Sequence, residues 1–451
     1  MKVKISHVVS LLLIITSSSF VRSQNFLYNT EQFGIRGAML GGSITAGAND
    51  ESMTFYNPAG IHKVPSQVSI SLFQPSVRTF GFNNFWGINE KSEINENYGL
   101  KPSLISFKFK LDKLDFAFIK ISKSQLSDSF NAKREEINNT ILNTQYFEYE
   151  YKGEDDWFGA GTSFKITPEI YVGVSQFLSI TNFEYKNRVI IEERDRVNNN
   201  NNTDSFFNSE QTSSFDNTGF ITKLGFLYDT DQHDIGLTIT TPKYLRILEG
   251  GYYTRTLTNI DNTQNIGEQI LDNNLSPAIK TPWEFSLGYS YSFKKQNKLW
   301  LNVDYYSGIS EYKVATISSG SRKISWVNGN KDVFNIGVGY SHVLNDKLEL
   351  SGGLRTNNFA YKNKPVTAKE LRNTILDGNH IHFVVGTRFK FKRHNVLLGL
   401  DWGTLYDTPD EIGFQYLRDI GKLTPNLKGL TKQNISVLLT YRFILDELIK
   451  L

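Results

Sequence analysis

The sequence predicts an all-β protein, a fourteen-stranded antiparallel transmembrane β-barrel. Large apolar and small polar residues alternate with a period of two in segment after segment. Tight turns and long polar connections alternate between these segments without a slip. A secretory leader precedes them, and no later stretch is apolar enough to cross a membrane as a helix. Only a closed barrel could hold such an exported chain in a membrane.

The clearest strand covers residues 281–293. Every odd position from Trp283 to Phe293 is large and apolar, and the even positions between them are Glu, Ser or Gly. A period of two places the two sets on opposite faces of a strand, which predicts a row facing lipid and a row facing the lumen. A strand of a soluble sandwich has the same pattern, so the choice depends on its repetition along the chain.

The N-terminus predicts a signal peptide over residues 1–23. Lys2 and Lys4 give a basic start, residues 8–15 form a short apolar core, and cleavage is expected after Ser23. The alternative, a single helical anchor, needs about 20 apolar residues. The mature protein is therefore expected to be exported.

Strand signals begin only after residue 66, since residues 24–66 are glycine-rich and show no sustained alternation. The predicted strands cover 68–78, 103–111, 114–123, 157–166, 170–186, 218–229, 233–247, 283–293, 298–307, 333–343, 347–356, 381–391, 394–404 and 434–443. Seven long polar connections are predicted near 79–102, 124–156, 187–217, 248–282, 309–332, 357–380 and 405–433. Short periplasmic turns and long outer loops are typical of outer-membrane barrels. An even strand number places both ends of the barrel on the periplasmic side.

Composition excludes several classes of protein. A hydrophobic fraction of 39% and a mean hydropathy of -0.34 exclude a helical membrane protein, and the absence of Cys excludes disulfides and thiolate metal sites. A net charge of +3 is too small to indicate nucleic-acid binding. We find no His-Glu-x-x-His, phosphate loop or Gly-x-Ser-x-Gly motif. We expect no enzyme activity, catalytic residue, metal or cofactor.

A motif in the N-terminal region adds a resemblance. Small residues from Gly37, the polar run Asn49-Asp50-Glu51-Ser52 and then Phe55-Tyr56-Asn57-Pro58-Ala59-Gly60 precede the strands. This arrangement resembles the FadL/TodX family of outer-membrane transporters for long-chain fatty acids and other hydrophobic molecules. The resemblance implies that residues 24–66 form a plug, or hatch, inside a barrel of residues 67–443. It also implies that residues 55–60 belong to the part whose rearrangement opens a path for ligand.

The chain departs from the family pattern at three places. Ile61 replaces the usual Leu, residues 444–451 extend beyond the final aromatic, and the third strand has no Gly or Pro to mark the inward kink of the family. Asn57-Pro58 also has a simpler interpretation as an ordinary turn. Its position between a glycine-rich segment and the first strand favours the gating interpretation.

The lumen-facing phase contains charged residues. Lys108, Lys223, Arg388 and Arg442 are candidate contacts for a ligand carboxylate. The alternative is that they form a hydrated network with inward acids such as Glu284, Asp304 and Asp401 that holds wall and plug together. Apolar residues in the same phase, including Leu227 and Leu438, suit a path for hydrophobic ligands.

These observations predict a channel in the outer membrane of a Gram-negative-type bacterium. It would admit hydrophobic small molecules by passive diffusion, with the plug as its gate, and its partners would be that ligand and the outer-membrane lipids. The alternative is a barrel of the same fold that docks secreted proteins at the cell surface, as part of a secretion system.

Overall fold

The computed structural model describes residues 26–71, 74–83, 85, 92–101, 104–111, 114–138, 140–195, 205–260, 264–293, 296–319, 322–362, 367, 369–408 and 429–445. The predicted signal peptide, the turn at residues 112–113 and residues 446–451 lie outside the described residues.

Eighteen strand segments form one antiparallel sheet, and they make fourteen barrel strands because four of the strands are each split into two segments. The strands are β1 (Gln67–Ser71 and Gln74–Phe82), β2 (Glu93–Lys101 and Leu104–Leu111), β3 (Leu114–Asn138), β4 (Ile141–Lys165), β5 (Ile170–Asp195), β6 (Ser205–Asp229), β7 (His233–Thr240 and Tyr244–Ile260), β8 (Gln264–Leu275 and Glu284–Phe293), β9 (Asn297–Tyr306), β10 (Val333–Asn345), β11 (Leu348–Asn357), β12 (Asn379–Phe391), β13 (His394–Asp407) and β14 (Leu430–Ile444). Both segments of β1 pair with β14, which closes the sheet into a barrel. The predicted fold class is confirmed.

The predicted phase of the strands is also observed. Leu287 is 54% exposed on the outer surface, whereas its neighbour Ser286 is 4% exposed and faces the lumen. Comparable exposed residues line other strands, among them Ile336, Val385 and Leu398. An apolar exterior of this extent is stable in lipid and not in water.

The predicted lengths of several outer connections are wrong. Residues 124–156 were expected to be a loop, but β3 runs on to Asn138 and β4 begins at Ile141. Strands β3 to β6 have 25 or 26 residues each, far more than the ~9–11 that cross a bilayer. Their outer halves pair with one another as a continuous ladder that rises beyond the membrane. Backbone pairing between neighbours extends these strands although their outward faces are polar.

A small sheet is separate from the sheet that forms the barrel. Ile309–Ser319 and Arg322–Asn330 form an antiparallel pair, and Glu370–Leu371 adds a parallel edge. Its residues Val314, Ile317 and Trp326 are buried against aromatic residues of the outer barrel. The small sheet therefore packs on the outer half of the barrel.

The N-terminal segment, residues 26–66, lies within the barrel. It contains two short helices, α1 (Ile35–Met39) and α2 (Met53–Tyr56), and a 3₁₀ helix at Pro58–Lys63. Nearly all of its residues are buried against the inner wall. Among the described residues, no helix is long and apolar enough to cross a membrane.

Candidate functional site

The acidic run of the N-terminal segment organises that segment from within. The Asp50 carboxylate accepts hydrogen bonds from the backbone N–H of Gly37 (3.1 Å) and Ser52 (2.8 Å), and also from the Arg36 N–H. Glu51 Oε1 accepts one from the Ile35 N–H at 3.0 Å. The two carboxylates thus satisfy backbone donors that the first turn of α1 leaves without partners. This role of an N-terminal acidic cluster is structural.

Asn57 ties the N-terminal segment to the barrel wall. Its side-chain Nδ2 donates to the carbonyl oxygens of Thr45 (2.7 Å) and Phe226 (3.0 Å), the latter on β6. Its Oδ1 accepts from the Ala59 N–H at 3.0 Å and so caps the 3₁₀ helix, which begins with Pro58. Proline fits this first helical position, where its missing N–H costs nothing. The turn interpretation of Asn57-Pro58 is therefore correct locally, and the same turn also contacts the wall.

Glycines on the inner wall let the backbone of this turn approach. A Cβ atom on Gly173 of β5 would lie 2.3 Å from the Pro58 carbonyl carbon, and one on Gly225 of β6 would lie 2.2 Å from Asn57 Oδ1. No side chain fits at such distances. The lumen-facing glycines therefore shape a seat for the turn at the periplasmic end of β5 and β6.

Aromatic residues surround Phe55 above this seat. Its ring makes edge contacts with those of Phe33 (5.4 Å between centroids), Trp157 (5.7 Å) and Phe177 (6.4 Å). Lys223 Nζ lies 4.4 Å from the Phe55 centroid, within the range of a cation–π contact. Tyr56 donates its hydroxyl to Gln32 and accepts from the Phe33 N–H, so it holds the segment together.

The four candidate cations all lie in the lumen, and each has an acidic partner. Lys108 Nζ is 2.8 Å from Asp115, and Lys223 Nζ is 3.5 Å from Glu284. Arg388 pairs with Glu349, and Arg442 lies 3.6 Å from Glu51 of the N-terminal segment. Such pairs neutralise one another inside a barrel of low dielectric constant. This arrangement favours the holding network over direct contact with a ligand carboxylate.

Sequence reasoning missed the strongest anchors between wall and N-terminal segment. Arg355 of β11 donates to the Asn29 and Thr30 carbonyls at 3.2 and 3.0 Å and to Asp401 at 2.8 Å. Arg36 of α1 pairs with the buried Glu349 at 3.0 Å. Strands that are distant in sequence supply these partners, so spacing along the chain gives no signal for them.

His382 of β12 belongs to the same network as Arg355. Its Nδ1 lies 3.0 Å from Asp401 and 2.9 Å from the Arg355 guanidinium. It belongs to the anchor of the N-terminal segment. Within the described ranges, no group of three His, Cys, Asp or Glu residues could hold a metal ion.

The lumen of the outer half is lined by aromatic rings. The ring of Phe130 lies 5.0 Å from that of Phe82 and 5.9 Å from that of Phe147, and Phe80 stacks on Tyr149 at 5.7 Å. Residues of the small sheet and of the N-terminal segment, including Trp326 and Phe26, complete the same apolar cluster. The alternation Phe147-Glu148-Tyr149-Glu150-Tyr151 is typical of a strand. It lies within residues 124–156, which were expected to form a loop.

The wall is interrupted between β2 and β3. Their pairing runs from Leu111–Leu114 to Leu104–Ile121, and beyond Ile121 no further β2–β3 pairs are formed among the described residues. At the same height, β3 has a bulge between Ser122 and Ser124. Gln74, Arg78, Asn97 and Gln125 line the resulting cavity, which offers about 600 Å³, partly open to solvent. A bulge, without Gly or Pro, therefore produces the irregularity in the third strand.

A second interruption lies between β7 and β8. The pairing of these strands ends at Thr240–Glu284 and resumes only at Gly250–Leu275. The cavity behind this break offers about 500 Å³, partly open to solvent, and reaches inward to Tyr28 and Trp157.

This geometry defines the class of the protein: a plugged fourteen-stranded transmembrane β-barrel with a lumen that is apolar in its outer half. No protein-family model and no curated protein matches the sequence.

Solved structures share the fold. A FadL homologue of Pseudomonas aeruginosa superposes with a TM-score of 0.60 at 11% identity, over 94% of this chain and 99% of that one. The toluene transporter TbuX of Ralstonia pickettii gives 0.58 at 13% identity, over 92% and 99%. The toluene transporter TodX of P. putida gives 0.57 at 12% identity, over 92% and 99%. At these identities the likeness establishes the fold: this chain has the architecture of FadL- and TodX-type outer-membrane channels.

Proposed function

We propose that this protein is a non-enzymatic outer-membrane channel that admits hydrophobic small molecules by passive diffusion, with residues 26–66 as its gate. The observation that carries the proposal is the apolar outer lumen, where aromatic rings from several strands meet above the plug. A water-filled porin has a polar lumen, whereas an apolar path is suited to ligands that partition from water. Toluene, which the names of TodX and TbuX give as the transported compound, belongs to this class of ligand.

The gate would act through the turn at residues 55–60. This turn contacts the wall through Asn57 and lies on glycines that leave no spare room. A small displacement of the turn would therefore unseat the 3₁₀ helix beside β4, β5 and β6. His62 stacks on Tyr171 at 3.5 Å, and Lys63 pairs with Asp229 at 2.7 Å, so the far end of that helix stays attached. The plug would thus pivot without leaving the barrel.

The test is uptake of a labelled long-chain fatty acid and of toluene by cells that carry equal amounts of each protein variant. Asn57→Ala with Pro58→Ala removes two hydrogen bonds from Asn57 to backbone carbonyls and one cap. We expect the barrel to assemble and uptake to change. Pro65→Ala, also within the N-terminal segment, is the matched control and should behave as wild type. If wild-type cells take up neither solute faster than cells without the protein, the channel proposal fails.

A second candidate function is docking of secreted proteins at the cell surface. The specific observation in its favour is the outer ladder of β3 to β6, which extends well beyond the membrane and has charged outward faces, for example at Lys133, Glu135 and Arg194. Shortening β3 and β4 together at residues 131–147 would remove much of this surface. Loss of a surface-bound protein with uptake unchanged would support the docking function.

A further inference from the structure

The connection between β11 and β12 folds into the barrel. Its last part, residues 372–378, begins after the edge strand of the small sheet and ends where β12 begins; we call it the strap. Of its seven residues, all within the described part of the chain, none belongs to a strand. Its buried side chains are those of Asn373, Ile375, Leu376 and Asp377. Connections normally lie on the surface, because a buried one must find partners for its backbone polar groups.

The strap crosses the lumen of the outer half. Asn373 Nδ2 donates to Ser213 Oγ of β6 at 2.9 Å, and the Leu376 N–H donates to the Tyr149 hydroxyl of β4 at 3.2 Å. In a closed ring of fourteen strands, β4 and β6 flank the strand directly opposite β12, from which the strap starts. The strap therefore lies across the axial path between the outer mouth of the barrel and the plug.

A buried ion cluster holds the strap to the wall. Lys432 Nζ of β14 lies 2.6 Å from Asp128 of β3 and 2.5 Å from Asp377 of the strap, and all three side chains are at most 4% exposed. His380 Nε2 lies 2.6 Å from the other carboxylate oxygen of Asp377. The cost of desolvating such charges offsets much of their attraction. Separation of the cluster into water therefore costs less than its short distances suggest, and the cluster mainly fixes where the strap lies.

Two aliphatic side chains of the strap cover the aromatic rings of the outer lumen. Ile375 and Leu376 are 6% and 1% exposed and belong to the same apolar cluster as Phe130 and Tyr149. A hydrophobic molecule that reached these rings would bury the same apolar surface that Ile375 and Leu376 bury now. Strap and ligand would thus compete for the rings, so ligand binding favours the state in which the strap is displaced.

We infer that the strap is an outer gate, in series with the plug, that opens when a hydrophobic ligand displaces Ile375 and Leu376 from the aromatic rings. Lys432 and Ser213 hold it in the closed position. A segment held by side chains alone can detach as a unit, because no ladder has to be broken. The inference rests on the proposed channel function and adds to it a second point of control at the outer end of the lumen.

Cross-linking the strap to the wall tests the gate, and the absence of native Cys makes every introduced thiol unique. Asn373→Cys with Ser213→Cys would be joined by a short bifunctional thiol reagent that a reductant cleaves. Uptake of labelled toluene should fall to the level of cells lacking the protein and return after reduction. Ser209→Cys with Thr256→Cys joins paired residues of β6 and β7 in the same half, and uptake should persist.

Thiol labelling measures opening without any uptake. Phe183→Cys on β5 lies on the periplasmic side of the strap, and a charged, membrane-impermeant maleimide is added from outside. Labelling should become about tenfold faster when Lys432→Gln removes the ammonium between the two carboxylates. Lys186→Gln, which breaks a lysine–glutamate pair on the outward face of the wall, should change the rate less than about twofold. Asp377→Asn is the second variant, in case Lys432→Gln does not assemble.

The outcomes distinguish the gate from the channel function. If the cross-linked Asn373–Ser213 pair takes up toluene at the wild-type rate, the inference is overturned and the channel function stands. Labelling that is no faster after Lys432→Gln or Asp377→Asn would show that the strap is a fixed part of the barrel and would also overturn it. If wild-type cells take up toluene no faster than cells without the protein, the channel function fails, and the labelling rates still decide whether the strap opens.

Discussion

The lumen-facing sides of the two halves of this barrel carry different chemistry on the same strands. In the periplasmic half of β4, the inward row contains Gly161, where an added Cβ atom would lie 3.0 Å from Ile61 Cδ1 of the plug. In the outer half of the same strand, that row contains Phe147, Tyr149 and Tyr151. The periplasmic half thus has glycines at points where the plug lies close to the wall, and the outer half fills the lumen with rings.

From this difference we expect that the periplasmic half seals the barrel against polar solutes and that the outer half admits hydrophobic ligands. The periplasmic half is held by short polar contacts, such as Asn57 to the wall and Arg36 to Glu349, which have one good geometry. The outer half is held by many ring contacts, which lose little when rings shift relative to one another, around a buried cluster in which Lys432 pairs with Asp128 and Asp377. We therefore expect substitutions in the periplasmic half to affect leakage and substitutions in the outer half to affect passage of hydrophobic ligands.

The largest effect is expected where the plug is anchored by a buried cation. Arg355→Met removes the guanidinium that pairs with the buried Asp401, leaves His382 as the remaining partner of that carboxylate, and frees the carbonyls of Asn29 and Thr30. Breaking a buried pair costs about 3–5 kcal/mol. Influx of a small polar antibiotic should rise, and the N-terminal segment should become sensitive to protease. The double variant with Asp401→Asn should recover part of the loss; a double variant as leaky as the single one would argue against the pair.

A smaller effect is expected at the glycine seat. Gly173→Ala places a methyl group 2.3 Å from the Pro58 carbonyl carbon, and overpacking of this kind costs about 1–3 kcal/mol. Leakage of polar solutes should increase without loss of barrel assembly, as judged by heat-modifiable mobility on a gel. Gly153→Ala on β4 is the control, since its new methyl group would lie 3.7 Å from its nearest neighbour. Identical leakage of the two variants would contradict a tight seat.

In the outer half, Phe130→Leu tests the role of the aromatic rings. The change keeps an apolar side chain but removes ring contacts to Phe82 and Phe147, worth about 0.5–1.5 kcal/mol. Toluene uptake should change while antibiotic influx stays at the wild-type rate. If antibiotic influx changes instead, the two halves do not divide sealing from passage as described.

The smallest effect concerns pH. Burial, with Asp50 next to it, raises the pKa of Glu51 to about 7, although Arg442 opposes the shift. A carboxyl whose pKa is higher in the folded state binds more protons there. The contribution of Glu51 to the stability of the plug in the barrel therefore weakens as pH rises from about 4.5 toward 7. Wild-type leakage should therefore increase slightly over this range, and Glu51→Gln should flatten the dependence. A pH profile identical in both proteins would exclude Glu51 as its source.

The amino-acid sequence was enough to predict the strand number, the lipid-facing and lumen-facing phases, and the alternation of tight turns with outer connections. These follow from local alternation, because a strand exposes successive side chains to opposite sides whatever it pairs with. The sequence also placed Lys108, Lys223, Arg388 and Arg442 in the lumen. The gating role of residues 55–60 stays a prediction.

Which lumen groups meet depends on how the barrel closes, and the sequence did not predict it. Arg355 reaches Asn29 and Asp401 because barrel closure brings distant strands and the plug together. The outer ladder of β3 to β6 and the break between β7 and β8 likewise depend on where neighbouring strands pair and where they stop. Pairing is a property of two strands at once, so alternation within one strand cannot specify it.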